Sequence, residues 1–223
     1  PGRRLLRRAH GAGALEVNPL VAGIVRLDGP LLRVEPGHGH ELGAVAVLLN
    51  PELSGSFLSH QLNNAQASIA VIDHELLPRI SSIESELTQL KKIVEVGNPK
   101  GDSKDSLGSF QKLSWAAWKD SDSWTGPMPS ASDISTVMYT SGTSGPSKGV
   151  LMPHAHCTLY GIGLIEATGL SAKDIYYITM PLFHANGLLL QLSSCLICGI
   201  PAILRPRFSA SNWLSDIKKH DVT

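Results

Sequence analysis

Short continuous apolar runs alternate with longer amphipathic stretches along this chain. Residues 42–49 form an apolar run that stops at Asn50-Pro51, the pattern of a buried strand reaching a turn. Ser54 then stands at the cap of a predicted helix. Its face is built from Phe57, Leu58, Leu62 and Ala65, with the polar Gln61 among them. Residues 68–72 predict a short buried strand ending at Asp73, residues 76–90 a second helix with Pro78 near its start, and residues 93–96 the next strand. An exposed loop rich in Gly, Ser, Asp and Lys is expected over 98–108, a short helix over 110–118, and a linker at Gly126-Pro127-Met128-Pro129. Asp133 opens a strand at 134–138. Farther along, a helix running to Cys198 and a strand at 201–204 precede a last helix, capped near Ser209, that carries Trp213, Leu214 and Ile217 on one face. Strand and helix in alternation predict an α/β fold with a mainly parallel sheet flanked by helices.

Composition changes this picture at one end. Residues 1–40 hold six arginines and no lysine, whereas residues 41–223 hold ten lysines and three arginines. Seven glycines and four prolines in the same forty residues leave no clear period, except for short strands within 20–34. Transit segments are arginine-rich but also serine-rich and amphipathic, and this stretch is neither. Residues 1–40 are therefore expected to be a divergent, disordered or out-of-frame segment, and residues 41–223 the folded domain. Nineteen basic residues balance nineteen acidic ones, which gives no reason to expect nucleic acid or an anionic membrane as a partner. Three cysteines argue for a reducing compartment, cytoplasmic or an organellar matrix. The longest apolar stretch, 187–204, is interrupted by Gln191, Ser193, Ser194 and Pro201, so it reads as core and not as a membrane span.

The chemistry concentrates in residues 139–150, Tyr-Thr-Ser-Gly-Thr-Ser-Gly-Pro-Ser-Lys-Gly-Val, between a strand-like run and a helix-like run. Glycines let the backbone turn and approach an anion, hydroxyls and amides donate hydrogen bonds, and the lysine adds a mobile positive charge. A Walker A loop separates its glycines by four residues and follows the second with Lys-Ser or Lys-Thr. Here Gly142 and Gly145 are three apart, Pro146 and Ser147 precede Lys148, and Gly149 stands where the magnesium-binding hydroxyl belongs. That spacing argues against a P-loop kinase or GTPase. A merely flexible surface loop would need neither the lysine nor the apolar strand leading in.

This stretch resembles the glycine-rich phosphate-binding signature of the AMP-forming adenylating enzymes, the superfamily of acyl-CoA synthetases, firefly luciferase and peptide-synthetase adenylation domains. Two further segments share the resemblance. Met180-Pro181-Leu182-Phe183-His184-Ala185-Asn186-Gly187 is similar to the family's Pro-Leu-Phe-His segment on the acyl side of the site, and residues 42–53 are similar to its front-end strand and turn. The resemblance covers about residues 41–223 and implies a partial N-terminal domain of an acyl-CoA synthetase-like fold. It implies the substrates ATP, a carboxylic or fatty acid and coenzyme A, with Mg2+ alongside the nucleotide. Carried over residue by residue, it makes Thr140, Ser141, Gly142, Thr143, Ser144, Gly145 and Lys148 the ATP phosphate contacts. His184 would orient or gate the carboxylate, and Gly187 would let substrate or backbone come close. Pro-Leu-Phe-His favours the acyl-CoA branch over the peptide-synthetase type. The family's later adenine, ribose and hinge motifs are absent, so the chain is expected to be a fragment that does not complete the reaction alone. A non-catalytic nucleotide-binding or interaction module is the alternative.

Other candidates read as structural. His154 and His156, two apart at a helix start, should point to different faces and make poor joint metal ligands, and no metal site is assigned. His38 and His40 fall in the atypical opening segment. Cys195 and Cys198 form a C-x-x-C inside an apolar helix, where burial accounts for them better than redox or zinc chemistry. Trp115, Trp118 and Trp124 suit an apolar patch under a loop better than a base-stacking stripe. The sequence does not specify an oligomeric state.

Overall fold

The computed structural model describes residues 23–26, 44–97, 108–114, 128–140, 145–205 and 207–223, with residues 23–26 and 114 described by their backbone alone. The expected loop at 98–107 and the three tryptophans at 115, 118 and 124 lie outside these residues, as do His38 and His40. The chain divides into two compact units, one of residues 19–155 and one containing residues 156–223.

The first unit is built on a sheet of seven strands among the described residues: β1 (Gly23–Arg26), β2 (Val45–Leu48), β3 (Ile69–Asp73), β4 (Lys92–Val96), β5 (Gln111–Ser114), β6 (Ile134–Thr140) and β7 (Lys148–Pro153). Their spatial order is β5-β4-β3-β1-β2-β6-β7. β3, β4 and β5 pair in parallel, and so do β2 and β6, while β1 lies antiparallel between β2 and β3. Five strands thus run the same way, with β1 and the edge strand β7 reversed. The α/β architecture with a mainly parallel sheet is the one expected.

One face of this sheet is covered by α1 (Gly55–Asn64) and α2 (Leu77–Ser81), whose side chains meet Val47, Ala70, Ile72, Ile93 and Val137. The opposite face also buries side chains, including Ile69, Val94 and Met138. Burial on both faces is why the strands read as continuous apolar runs rather than as alternation. Each fully buried aliphatic side chain, such as Leu62, Leu77 or Ile93, contributes roughly 1.5–3 kcal/mol of transfer free energy.

Several local expectations are corrected. On α1 the buried stripe is Leu58, Ser59, Gln61 and Leu62, continued by Ala65, and Phe57 is 69% exposed. Ser54 holds the cap position with extended backbone, but its hydroxyl makes no capping bond. The helix expected over 76–90 is instead a 3-10 turn (His74–Leu76), the short α2, and a second 3-10 turn (Glu84–Glu86). The Ser82 hydroxyl bonds back to the Arg79 carbonyl at 2.8 Å, and serines that compete for backbone groups in this way shorten helices. Residues 111–114 form the strand β5 and not a helix, because pairing along the open edge of β4 outweighs local propensity.

The second unit contains α3 (His154–Thr168), which begins at the end of the first, followed by β8 (Tyr176–Ile178) and a π-helical turn (Asn186–Leu192). After these come α4 (Ser193–Cys198), β9 (Ala202–Leu204) and α5 (Ala210–Lys219). β8 and β9 pair in parallel. Gly161 of α3 packs on α4, where a Cβ would stand 2.7 Å from Ile197 Cδ1 and 3.1 Å from Ser193 Cβ. Within the stretch expected to be core, Leu189, Cys195 and Ile200 are buried, whereas Leu196 and Ile197 are exposed.

A buried carboxylate anchors α5. Asp216 is 3% exposed, accepts from the Tyr177 hydroxyl at 2.9 Å and from Arg205 Nε at 2.9 Å, and is also bonded by Arg205 Nη2. The Arg205 hydrogen bond holds the carboxyl below the usual carboxylate range, against the opposing effect of burial. The stabilisation from this pair is present above the ordinary carboxylate pKa and is lost as pH falls through the lowered one. Asp216→Asn is expected to unfold at lower denaturant concentration at pH 7. Its deficit against the wild type should shrink below about pH 4, measured by urea titration across pH.

Candidate functional site

The glycine-rich stretch is carried by the hairpin of β6 and β7. Thr140 pairs with Lys148, Tyr139 with Gly149 and Met138 with Val150. The Thr140 hydroxyl reaches the Lys148 carbonyl at 3.4 Å, and both side chains are exposed at the hairpin mouth. Gly145 has φ +103°, a backbone that L side chains rarely adopt. Of the expected phosphate contacts, Thr140, Gly145 and Lys148 are described and stand on this hairpin. Ser141, Gly142, Thr143 and Ser144 lie outside the described residues.

The element after the stretch is a strand and not a helix. Residues 148–153 pair with β6, and the helix starts only at His154. Pro153 is tolerated because β7 is an edge strand. Gly149 is small for a packing reason. A Cβ there would lie 2.8 Å from Val137 Cγ1 and 3.4 Å from Tyr139 Cζ, so the Tyr139 ring occupies the space above it.

Helix α1 holds both arms of the hairpin. The Tyr139 hydroxyl donates to the Gln61 carbonyl at 3.1 Å and to Asn64 Oδ1 at 2.7 Å. Partial burial pushes the phenol up, which keeps it a donor. On the other arm, Gln61 Nε2 donates to Ser147 Oγ at 3.0 Å and His60 Nε2 meets the Ser147 carbonyl at 3.0 Å, so that ring nitrogen carries the proton. These bracing residues were not among the expected site residues. The signal for them was the polar Gln61 inside a largely apolar stripe.

In the second unit the 180–187 segment is folded tightly. Gln191 Oε1 accepts from the Thr179 and Met180 amides at 3.0 and 3.2 Å, and its Nε2 donates to the Thr179 hydroxyl at 3.2 Å. His184 is exposed in the turn beyond β8, not a core histidine, and its Nδ1 accepts from the Asn186 amide at 3.2 Å. Gly187 is buried against main chain, and a Cβ there would meet the Pro181 carbonyl oxygen at 2.3 Å and that of Met180 at 2.6 Å. The close approach it allows is that of the chain's own backbone.

The remaining candidates are structural. Burial pushes the Cys195 thiol up to about 11, and its Sγ donates to the Gln191 carbonyl at 3.0 Å, which leaves it inert. His156 stacks on Tyr160 at 4.9 Å between ring centroids. Among the described residues no group of three His, Cys, Asp or Glu side chains gathers to hold a metal, and no helix is long and apolar enough to cross a membrane.

The family model described as AMP-binding enzyme matches residues 40–223. The chain belongs to the AMP-binding enzyme family. Among its relatives, long-chain fatty acid transport protein 6 of Mus musculus is 36% identical over 191 residues, covering 82% of this chain and 29% of that protein. The medium/long-chain-fatty-acid–CoA ligase FadD17 of Mycobacterium marinum is 29% identical over 181 residues, covering 81% of this chain and 32% of its own length. This AMP-binding chain therefore spans about a third of the curated relatives it matches. Among solved structures, the anthranilate CoA ligase AuaEII in complex with anthranoyl-AMP is similar at 27% identity with a TM-score of 0.70, over 82% of this chain and 35% of that one. The fold is also that of a long-chain-fatty-acid CoA ligase from Rhodopseudomonas palustris, with a TM-score of 0.67 at 21% identity over 79% of this chain and 42% of that one.

Crowded Gly187 differs from Gly163, whose Cβ would meet nothing within 4 Å. Gly187→Ala is expected to cost about 1–3 kcal/mol, because main-chain carbonyls must move to admit a methyl group. Gly163→Ala, inside α3, is expected to be neutral or to stabilise by about 0.5–1 kcal/mol. Thermal and urea unfolding of both variants checks the contrast.

Proposed function

We propose that this chain supplies the phosphate-binding and acyl-side segments of an AMP-forming acyl-CoA ligase whose acid is a long-chain fatty acid. The observation that carries the reading is the β6–β7 hairpin. It sets Lys148 opposite Thr140 at the mouth of a glycine-rich stretch, within a chain of the AMP-binding family. The fatty acid follows from the names of the relatives in mouse and Mycobacterium marinum. The compartment that fits three reduced cysteines is the cytoplasm or an organellar matrix.

A carboxylate is a poor electrophile. Its oxygen attacks the α-phosphorus of ATP, the bond to the β-phosphate oxygen breaks, and pyrophosphate leaves with the electron pair. The thiol of coenzyme A then takes the acyl carbon and AMP departs. Charge that grows on the departing phosphates is met by the Lys148 ammonium and the Thr140 hydroxyl, together with Ser141, Gly142, Thr143, Ser144 and Gly145 through hydroxyls and amides. Mg2+ arrives with the nucleotide and neutralises phosphate charge. His184 orients the carboxylate. With Nδ1 engaged as an acceptor, the neutral ring carries its proton on Nε2 and offers a donor to a carboxylate oxygen.

The assay is fatty-acid-dependent exchange of labelled pyrophosphate into ATP, run on the longest reading frame that contains this chain. Exchange that requires a long-chain acid is expected, and Lys148→Ala is expected to lower it at least about tenfold. Absence of exchange with every acid removes the ligase reading. Unchanged exchange in the lysine variant removes the role given to the hairpin.

A further inference from the structure

We infer that helix α1 is the positioning element of the phosphate hairpin, with Gln61, His60 and Asn64 setting the geometry at which Lys148 and Thr140 meet a nucleotide. The inference rests on the nucleotide reading of the hairpin and adds residues which that reading does not contain.

Gln61 is 7% exposed, in a buried stripe with Leu58, Ser59, Leu62 and Ala65. A buried primary amide without partners costs free energy, so a glutamine at that position is stable only when something receives it. Its Nε2 is received by Ser147 Oγ at 3.0 Å, on the residue immediately before Lys148. Its main-chain carbonyl oxygen receives the Tyr139 hydroxyl at 3.1 Å, on the residue immediately before Thr140. A single helical residue therefore bonds both arms of the hairpin, each one position away from a proposed phosphate contact.

Its neighbours repeat the pattern. His60 Nε2 donates to the Ser147 carbonyl at 3.0 Å, and Asn64 Oδ1 accepts from the Tyr139 hydroxyl at 2.7 Å. Positions 60, 61 and 64 stand together on one side of the helix at i, i+1 and i+4. Strand pairing alone would leave β7, an edge strand, held from one side only. With these bonds it is held by β6 on one side and by α1 through Ser147. The direct Thr140 hydroxyl bond to the Lys148 carbonyl, at 3.4 Å, is long, so the brace and not that bond fixes the mouth. A catalytic group displaced by 1 Å loses much of its effect, which gives a brace of this kind functional weight.

Asn63, next along the same helix, provides the control. It bonds the Glu86 carbonyl at 2.8 Å and the Thr88 amide at 3.0 Å, neither of which belongs to the hairpin. The test compares Gln61→Leu, Tyr139→Phe, Ser147→Ala, the conservative Ser147→Thr, the double variant Gln61→Leu/Ser147→Ala and Asn63→Ala. Three readouts are taken: thermal midpoint, amide hydrogen exchange at residues 148–150, and the dissociation constant for Mg-ATP by calorimetry, with inorganic tripolyphosphate as a second probe.

The brace predicts faster exchange at 148–150 and about three- to tenfold weaker ATP and tripolyphosphate binding in Gln61→Leu, Tyr139→Phe and Ser147→Ala. The double variant should be no worse than either single one, and Ser147→Thr should retain wild-type binding. Asn63→Ala should melt earlier yet bind as the wild type does. If all α1 variants weaken binding in proportion to their lost stability, the role is only structural and the inference is overturned. Unchanged exchange and affinity in Gln61→Leu also overturn it. A wild-type chain that binds neither probe overturns the nucleotide reading and the positioning role with it. Faster exchange in the variants would then mark the brace as structural alone.

Discussion

A buried amide has to be satisfied, and in this chain that requirement ties a helix to a hairpin. Gln61 sits in the apolar stripe of α1, where its side chain can reach only what the sheet presents, and the sheet presents Ser147. The Tyr139 ring fills the space above Gly149 and thereby brings its hydroxyl back to the Gln61 carbonyl. Packing and hydrogen bonding are thus coupled. A Cβ at 149 would crowd Val137 Cγ1 at 2.8 Å and fill the contact distance to the Tyr139 ring, whose hydroxyl links the strand to the helix. The burial of α1, the edge position of β7 and the mouth of the hairpin form one dependent set.

The direction of β7 decides what kind of anion site this can be. In a strand-to-helix loop, the helix N-terminus delivers aligned amides and a partial positive charge to the phosphate. Here the chain leaves the glycine-rich stretch into an antiparallel strand, and the helix begins only at His154, six residues after Lys148. The helix-terminus contribution is absent from the position directly after the loop. In the proposed nucleotide role, charge compensation at the mouth then falls to the Lys148 ammonium. The departure from Walker spacing follows from that architecture, because a lysine that opens a strand has no following helix on which to place a magnesium-binding hydroxyl.

The fold was legible where burial is two-sided and local. The runs at 42–49, 68–72, 93–96 and 134–138 became β2, β3, β4 and β6, because strands covered on both faces need apolar residues at every position. Legibility failed where tertiary pairing decided. Residues 111–114 carry no strand period and become β5 only because β4 offers an edge. Residues 76–90 have helical spacing, yet Ser81 and Ser82 break the helix after one turn. Thr140, Gly145 and Lys148 were named from residue type and spacing as candidates, and they stand on the β6–β7 hairpin. The bracing residues were not named, since Gln61 and Ser147 are 86 positions apart and nothing local announces that they meet.

Gln191 carries the same logic into the other unit. It lies in an apolar run, on the π-helical turn, and its side chain pins the Thr179 and Met180 amides while Gly187 lets the Met180 and Pro181 carbonyls press against the turn. In both units a glutamine stands in a largely apolar helical stretch, and in both its amide is spent on the main chain or hydroxyl of a segment that bears candidate chemistry. A leucine would bury more apolar surface at either position and would supply none of these bonds. A glutamine is favoured over it where the position of a neighbouring loop matters more than the last increment of stability. A glutamine in a largely apolar helical stripe is therefore informative in its own right: it marks the point from which a neighbouring segment is held.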